Sequence, residues 1–278
     1  MKRKTIGGLF AAAVLLAGIG WFENYTIQKT EYTLLSPRLP AAFDGLRTAL
    51  VADLHGQQFG KDNARLLQAL RDLRPDIIVL DGDLADEYTD ISSLRPFLAG
   101  LQEIAPAFFV TGNHEWVLGR EKRRELFGLL DECGIIRLEN AYKLLQRGDS
   151  AIVLAGVDDQ NGPADQKTPA HLMAEIREAC GDAYTLVLCH RNDKLDLWAE
   201  LGADTVLSGH AHGGIVRLPL IGPVFGTHYD WFPQDAEGVY QKDGTTLFVS
   251  RGLGGSHRLP LRVGNRPELA LLILRSKK

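Results

Sequence analysis

Cysteine is scarce in this 278-residue chain, which holds 3, at Cys133, Cys180 and Cys189. An odd count without metal-type spacing excludes a disulfide framework and a zinc knuckle. Cys189 stands beside His190, where a thiol ending an apolar run reads as a core residue rather than a nucleophile. Excess basic charge is also missing: 31 Lys and Arg face 35 Asp and Glu, for a formal charge of -4. That balance excludes the concentrated basic footprint of a general nucleic-acid binder, so no nucleic-acid partner is expected. Internal repeats and low-complexity tracts are absent, which excludes solenoids and disordered arrays. The remainder, 45% apolar and 24% charged, is ordinary for a globular fold with one large core.

One long hydrophobic run is present, at the amino terminus. Lys2, Arg3 and Lys4 precede an uncharged stretch over residues 5–22, near the lower length limit for a membrane-spanning helix. No Ala-x-Ala ends the run, so an uncleaved signal anchor is expected in preference to a cleaved secretory signal. The basic residues ahead of it keep the amino terminus cytoplasmic and place the rest of the chain outside, at the cell membrane. Secretion after cleavage, or a domain facing the cytoplasm, are the alternatives. The expected organisation is an anchor over 1–22, a stalk and entry segment over 23–45, and one catalytic domain over 46–278.

Within that domain, five apolar runs of strand length each stop at a polar ligand residue. Residues 46–52 lead to Asp53 and His55, residues 77–80 to Asp83, and residues 107–110 to Asn113 and His114. Residues 186–189 lead to His190, and 205–207 to His210 and His212. Where strands alternate with helices, ligands gather beyond the carboxyl ends of the strands, so these segments are expected to converge in one crevice. The residue types suit two divalent cations, which can hold a phosphoryl group and generate a nucleophile near neutral pH. A carboxylate between the cations offsets their repulsion, and Asp83 is the natural bridge. Imidazole and amide ligands keep the total charge low enough for the cations to polarise phosphate. Gly82 and Gly112 allow sharp turns just before Asp83 and Asn113.

At these residues the chain resembles the calcineurin-like metallophosphoesterases, whose blocks D-x-H, G-D-x-x-D, G-N-H-[DE], a separate His and G-H-x-H occur here in order. They stand as Asp53-Leu54-His55, Gly82-Asp83-Leu84-Ala85-Asp86, Gly112-Asn113-His114-Glu115, His190 and Gly209-His210-Ala211-His212. The resemblance implies one metal held by Asp53, His55, Asp83 and His212 and another held by Asp83, Asn113, His190 and His210. It implies a non-ligand catalytic role for His114, which stabilises the transition state or protonates the leaving oxygen. Manganese is the preferred metal, with iron or zinc compatible with the same ligands. The fourth block departs from the family in reading His190-Arg191-Asn192, where a Pro often stands two residues after the His; this bears on the loop rather than the ligand.

The resemblance also implies an α/β fold, a four-layer α/β/β/α sandwich of two mixed sheets flanked by helices, here with an N-terminal transmembrane helix. Helical spacing over 62–73, 92–104, 120–133 and 168–180, and further strands over 152–157, 246–249 and 269–274, agree with layered α/β architecture. The apolar stretch 218–225 is expected either to pack on the sheet or to rest against lipid or acyl chains. Arg251, Arg262 and His257 are candidate substrate contacts, with the glycines at 252–255 able to approach a phosphate. The chain is similar to the membrane-associated branch that includes nucleotide-linked diacylglucosamine pyrophosphatases and general phosphodiesterases. The expected activity is therefore hydrolysis of a phosphodiester or pyrophosphate bond, in a lipid-linked or envelope precursor. A phosphomonoesterase and a noncatalytic metal-binding scaffold are the alternatives, and no protein partner is indicated.

Overall fold

Near-continuous apolar strands such as Ile77–Asp81 and Thr185–Cys189 carry buried side chains at every position. Strands of this kind need cover on both faces, and a layered fold supplies it. The computed structural model describes residues 14, 15, 17–227, 229–255 and 262–277. One six-stranded sheet runs β1 (Gln28–Ser36), β14 (Glu268–Ser276), β2 (Arg47–Val51), β3 (Ile77–Asp81), β4 (Ala107–Val110) and β5 (Ile136–Arg137). The other runs β12 (Gly238–Lys242), β13 (Thr245–Val249), β9 (Thr205–Ser208), β8 (Thr185–Cys189), β7 (Ser150–Val157) and β6 (Ala141–Arg147). Both are mixed: β14 opposes β2 while β2, β3, β4 and β5 run parallel, and β6 and β12 are antiparallel to their neighbours in the second sheet.

The period-two alternation of strand side chains sorts the core into three seams. Leu50, Val79 and Phe108 point between the sheets and meet Leu154, Leu186 and Phe248. Their neighbours Val51, Ile78 and Phe109 point the other way, onto α1 (Ala64–Leu73), α2 (Arg95–Leu101) and α4 (Arg120–Glu132). On the far face of the second sheet, Val153, Val187 and Val206 pack against Leu172 and Ile176 of α5 (Pro169–Cys180) and Trp198 of α6 (Leu195–Glu200). The α/β class with two mixed sheets is thus present, with helices on both outer faces. Thr168 caps α5, accepting from the His171 amide at 3.2 Å, and His171 itself is exposed beside Glu175.

The segment 23–45, expected as a stalk, differs from that expectation. Its β1 pairs in parallel with β14 along nine residues, completing the first sheet, because alternation in 28–36 gives it one face for the core. Of the expected anchor, residues 1–13 and 16 lie outside the described residues, and the described positions from Val14 to Tyr25 are helical. Among the described residues no helix is long and apolar enough to cross a membrane. The stretch 218–225 forms a separate ribbon of β10 (Val216–Leu218) and β11 (Gly222–Phe225), rather than a layer of either sheet. All three cysteines are free thiols, and burial pushes Cys189 up to about 12, which suits a core residue.

Candidate metal centre

Five of the seven candidate ligands sit at sharp backbone turns. Asp53, His55, Asp83, His210 and His212 all have positive φ, between 47° and 68°, a region that side chains other than Asn, Asp and Gly rarely enter. Five such residues in one crevice mark a place where the surrounding fold holds the backbone for function. Two glycines allow the close approach. Gly82 has φ +71°, and a Cβ there would lie 2.5 Å from the Gly112 amide nitrogen. A Cβ on Gly112 would overlap Asp83 Oδ1 and lie 2.6 Å from the Asp83 nitrogen.

The donor atoms converge as three groups, with the donor atoms of each within 4.8 Å of one another. Asp53, His55 and His212 form one, Asp83, His190 and His210 another, and His55, Asp83 and His114 a third that links these two. In the first, His55 Nε2 and His212 Nε2 are 3.4 Å apart, and Asp53 Oδ1 lies 3.5 Å from His212 Nε2. Asp83 Oδ2 lies 3.8 Å from His55 Nε2 and 3.2 Å from His190 Nε2, so one oxygen faces both groups. Donors about 2.0–2.2 Å from a shared cation sit roughly 3–3.5 Å from one another, so these spacings fit cation binding. Asn113 Oδ1 is buried without a hydrogen-bond partner, as expected of an atom kept for a metal, and His190 Nε2 faces only the Asp83 and Asp53 carboxylates.

An outer layer orients these donors. The Asp81 carbonyl accepts from His190 Nδ1 at 2.7 Å, and the Gly254 carbonyl lies 3.3 Å from His212 Nδ1, so each imidazole turns Nε2 to the centre. The His114 amide donates to Asp83 Oδ1 at 2.8 Å, and the His210 amide to Asp53 Oδ1 at 3.0 Å. The buried Glu115 carboxylate accepts from the amides of Asp83 at 2.9 Å, Leu84 at 2.8 Å and Gly112 at 2.7 Å. It thereby fixes the turns after β3 and β4 to each other, while capping α3 (Asn113–Val117).

The electrostatics describe a site with too much buried negative charge to be comfortable alone. Burial pushes Asp53 up to about 7, and burial with the nearby Asp83 carboxylate pushes Glu115 up to about 7. Burial likewise pushes Asp81 up to about 8, and neither of its carboxylate oxygens has a partner. Burial also opposes charge on His190, but the Asp83, Asp53 and Asp81 carboxylates outweigh it and hold the imidazolium well above the usual histidine range. Burial takes His55 down to about 4 and His212 well below its usual value. Carboxylates crowded beside neutral imidazoles form a donor set whose missing charge balance divalent cations would supply.

Several of these residues carry no obvious sequence signal. Glu115 belongs to a recognised block, but its clamp on the amides of Asp83, Leu84, Ala85 and Gly112 requires the turns after β3 and β4 to meet in space. Arg191 stands in the sequence only as a departure from the family pattern. Its Nε and Nη2 bind the two Asp159 carboxylate oxygens at 2.6 and 3.2 Å, and Nη1 lies 3.4 Å from His210 Nε2. Beside it a cavity of about 400 Å³ opens between His190, Arg191 and Trp198 on one side and residues 157–169 on the other. The expected phosphate forks behave differently. Arg262 donates to the carbonyls of Gly254, His212 and Arg251, and Arg251 pairs with Glu268 at 3.0 Å. Both guanidinium groups are buried and committed to holding the segment behind His212. His257 lies outside the described residues.

Two packed mixed sheets with clustered carboxylate, imidazole and amide donors at one end define a metal-dependent hydrolase of phosphoesters. The chain belongs to the calcineurin-like phosphoesterases, whose family model matches residues 46–214. It is 29% identical to an uncharacterized metallophosphoesterase of Bacillus subtilis, YkuE, covering 99% of this chain and 98% of that one. It is 29% identical to the phosphodiesterase YaeI of Escherichia coli over 92% of this chain and 89% of that one. Among solved structures, TT1561 of Thermus thermophilus superposes with a TM-score of 0.50 at 14% identity, covering 75% of this chain and 90% of that one, a likeness of fold. The protein is thus a metallophosphoesterase, and its clustered Asp and His donors fit the dinuclear divalent metal centre that the family uses.

Proposed function

We propose that the protein is a phosphodiesterase whose first cation is held by Asp53, His55, Asp83 and His212 and whose second is held by Asp83, Asn113, His190 and His210. The position of Asp83 Oδ2 carries this reading, since it faces imidazoles of both groups while Oδ1 is occupied by the His114 amide. When bound, two divalent cations polarise the phosphoryl group and lower the pKa of water. Manganese is the preferred occupant, because mixed imidazole, amide and carboxylate donors suit it and leave selection to availability. His114, whose ring lies edge-on to His55 at 4.7 Å, is placed to hand a proton to the leaving oxygen. Arg191, aligned by Asp159, offers a guanidinium beside His210 for a non-bridging phosphate oxygen. The neighbouring cavity gives the second ester substituent a place that a monoester would leave unfilled.

A lipid-linked or envelope phosphodiester or pyrophosphate is the substrate this reading favours, met by an outward-facing domain held at the membrane by residues 1–22. The uncharged run behind three basic residues supports that placement, and the similarity to the phosphodiesterase YaeI supports the diester. The full chain, loaded with Mn²⁺, is to be compared on bis-p-nitrophenyl phosphate and p-nitrophenyl phosphate, with His210→Ala as control. Faster diester cleavage that the variant loses is the expected result. Preference for the monoester would replace the phosphodiesterase by a phosphomonoesterase, and inactivity of metal-loaded protein on both would favour a scaffold.

A further inference from the structure

Large apolar side chains are exposed in two places that the fold brings to one edge. In the β10–β11 ribbon and the loop after it, Leu220 is fully exposed, Trp231 is 72% exposed and Ile221 62%, with Leu218, Tyr229 and Phe232 also open. The helix over the described part of 14–25 exposes Ile19, Trp21, Phe22 and others along its length. Among the described residues, the only other exposed large apolar side chains are Leu35, Tyr88, Val117, Leu144, Val239 and Val263, and Val263 lies between the two elements. Asn24 of the helix exchanges hydrogen bonds with the Arg262 backbone, at 2.8 Å to its amide and 3.2 Å to its carbonyl. Glu23 accepts from the Gly264 amide at 2.8 Å, and Val263 bridges to Val216 of β10.

This edge is also the metal end of the molecule. Because β1 runs parallel to β14 and β14 opposes β2, the start of β1, which follows the helix, lies at the carboxyl end of β2 beside Asp53. His212 leads within four residues into β10, and Asn265 Nδ2 binds the carbonyls of both His212 and Gly214.

We propose that this edge is a bilayer-docking surface, in which the β10–β11 ribbon and the 229–232 loop enter the interface between headgroups and acyl chains. A soluble monomer rarely leaves so much contiguous apolar surface open. Three sequence facts select a bilayer over a protein partner. No Lys, Arg, Asp or Glu occurs from 218 to 229, and Asp230 is the one charge in the 229–232 loop; the helix pinned to the edge continues an uncharged run over 5–22; and Trp21, Tyr25, Tyr229 and Trp231 are the side-chain types that gather at membrane boundaries. The ribbon would then hold the metal centre at the depth of lipid headgroups. This location does not depend on the enzyme being a diesterase.

The test uses the full chain reconstituted in vesicles of phosphatidylethanolamine and phosphatidylglycerol, spin-labelled at Leu220→Cys or Trp231→Cys. Leu35→Cys, at the opposite end of β1, serves as the water-exposed control. Labels at 220 and 231 are expected to gain oxygen accessibility and lose accessibility to a water-soluble nickel chelate by at least about tenfold relative to position 35. Equal nickel accessibility at 220 and 35 would overturn the proposal. So would a label at 220 that is shielded equally with and without vesicles, which would mean that the chain itself or a second copy covers the ribbon. A failed hydrolysis assay with labels still at acyl depth would remove the phosphodiesterase reading and leave this surface intact.

Discussion

The His114 amide donates to Asp83 Oδ1 at 2.8 Å, so the residue proposed as proton donor also aims the carboxylate proposed as bridge. With Oδ1 taken, Oδ2 is the oxygen presented to His55 and His190. Asp83→Asn keeps the shape but removes the negative charge between the two cation positions. Metal analysis after gel filtration is expected to show both cations lost, or one retained weakly. Retention of two tightly bound cations would refute the bridging role.

Replacing His114 by Ala keeps the backbone amide and hence the Asp83 hydrogen bond. Two cations per chain are therefore expected to remain, while kcat falls by about 10²- to 10⁴-fold, the range for loss of a general acid. The deficit should shrink for substrates with good leaving groups, which need no proton. Loss of metal in this variant would instead make His114 a ligand.

Glu115 acts on the backbone rather than on substrate. Glu115→Ala leaves the buried amides of Asp83, Leu84 and Gly112 without their acceptor. At about 1–3 kcal/mol for each unsatisfied buried group, a loss of at least ~3 kcal/mol in unfolding free energy is expected, together with weakened metal binding. Glu115→Gln, which keeps one carbonyl acceptor, should lose less. Denaturant titration of both variants with and without metal checks the order.

The pKa shifts give the metal-free protein a pH dependence opposite to that of cation binding. His190 is raised in the folded state, so its contribution is full below the ordinary histidine value and is lost as pH rises beyond it. Asp53 and Glu115, raised to about 7, contribute stability that is present below the ordinary carboxylate range and gone by about pH 7. Between about pH 6.5 and 7 all three act in one direction, and above pH 7 His190 alone continues it, so chelator-treated protein should melt at progressively lower temperature as pH rises. Each proton released corresponds to about 1.4 kcal/mol per pH unit. Cations compete with those protons, so metal affinity should rise over the same interval, with proton release visible by calorimetry in two buffers. Affinity that falls with rising pH would contradict the arrangement of charges.

Much of the centre was readable before folding because its residues follow a local rule. Asp53, Asp83, Asn113, His190 and His210 each come directly after an apolar strand, and such strands announce their ends by composition. The helix Arg120–Glu132 and the strand Ala107–Val110 were legible for the same reason, one from spacing and the other from β-branched and aromatic content. The short helices Asn113–Val117 and Leu195–Glu200 were not, since fewer than two turns leave no periodic pattern to read. Residues 28–36 read as part of a stalk and entry segment in the sequence because an edge strand with one solvated face is largely polar.

The sequence by itself determined the donor types, their order and the class of chemistry, because ligand identity is a property of single side chains and strand ends are set by local pattern. Only the tertiary structure decided which donors lie within reach of one another, and that Asp83 presents one oxygen to His55 and His190. It alone committed Arg251 and Arg262 to the fold, left Arg191 beside His210, and brought the helix over 14–25 and the β10–β11 ribbon to the metal end. Those outcomes depend on approaches of a few ångströms between segments as much as 241 residues apart, such as Glu23 and Gly264. Sheet order and register fix such distances, and no local pattern encodes them.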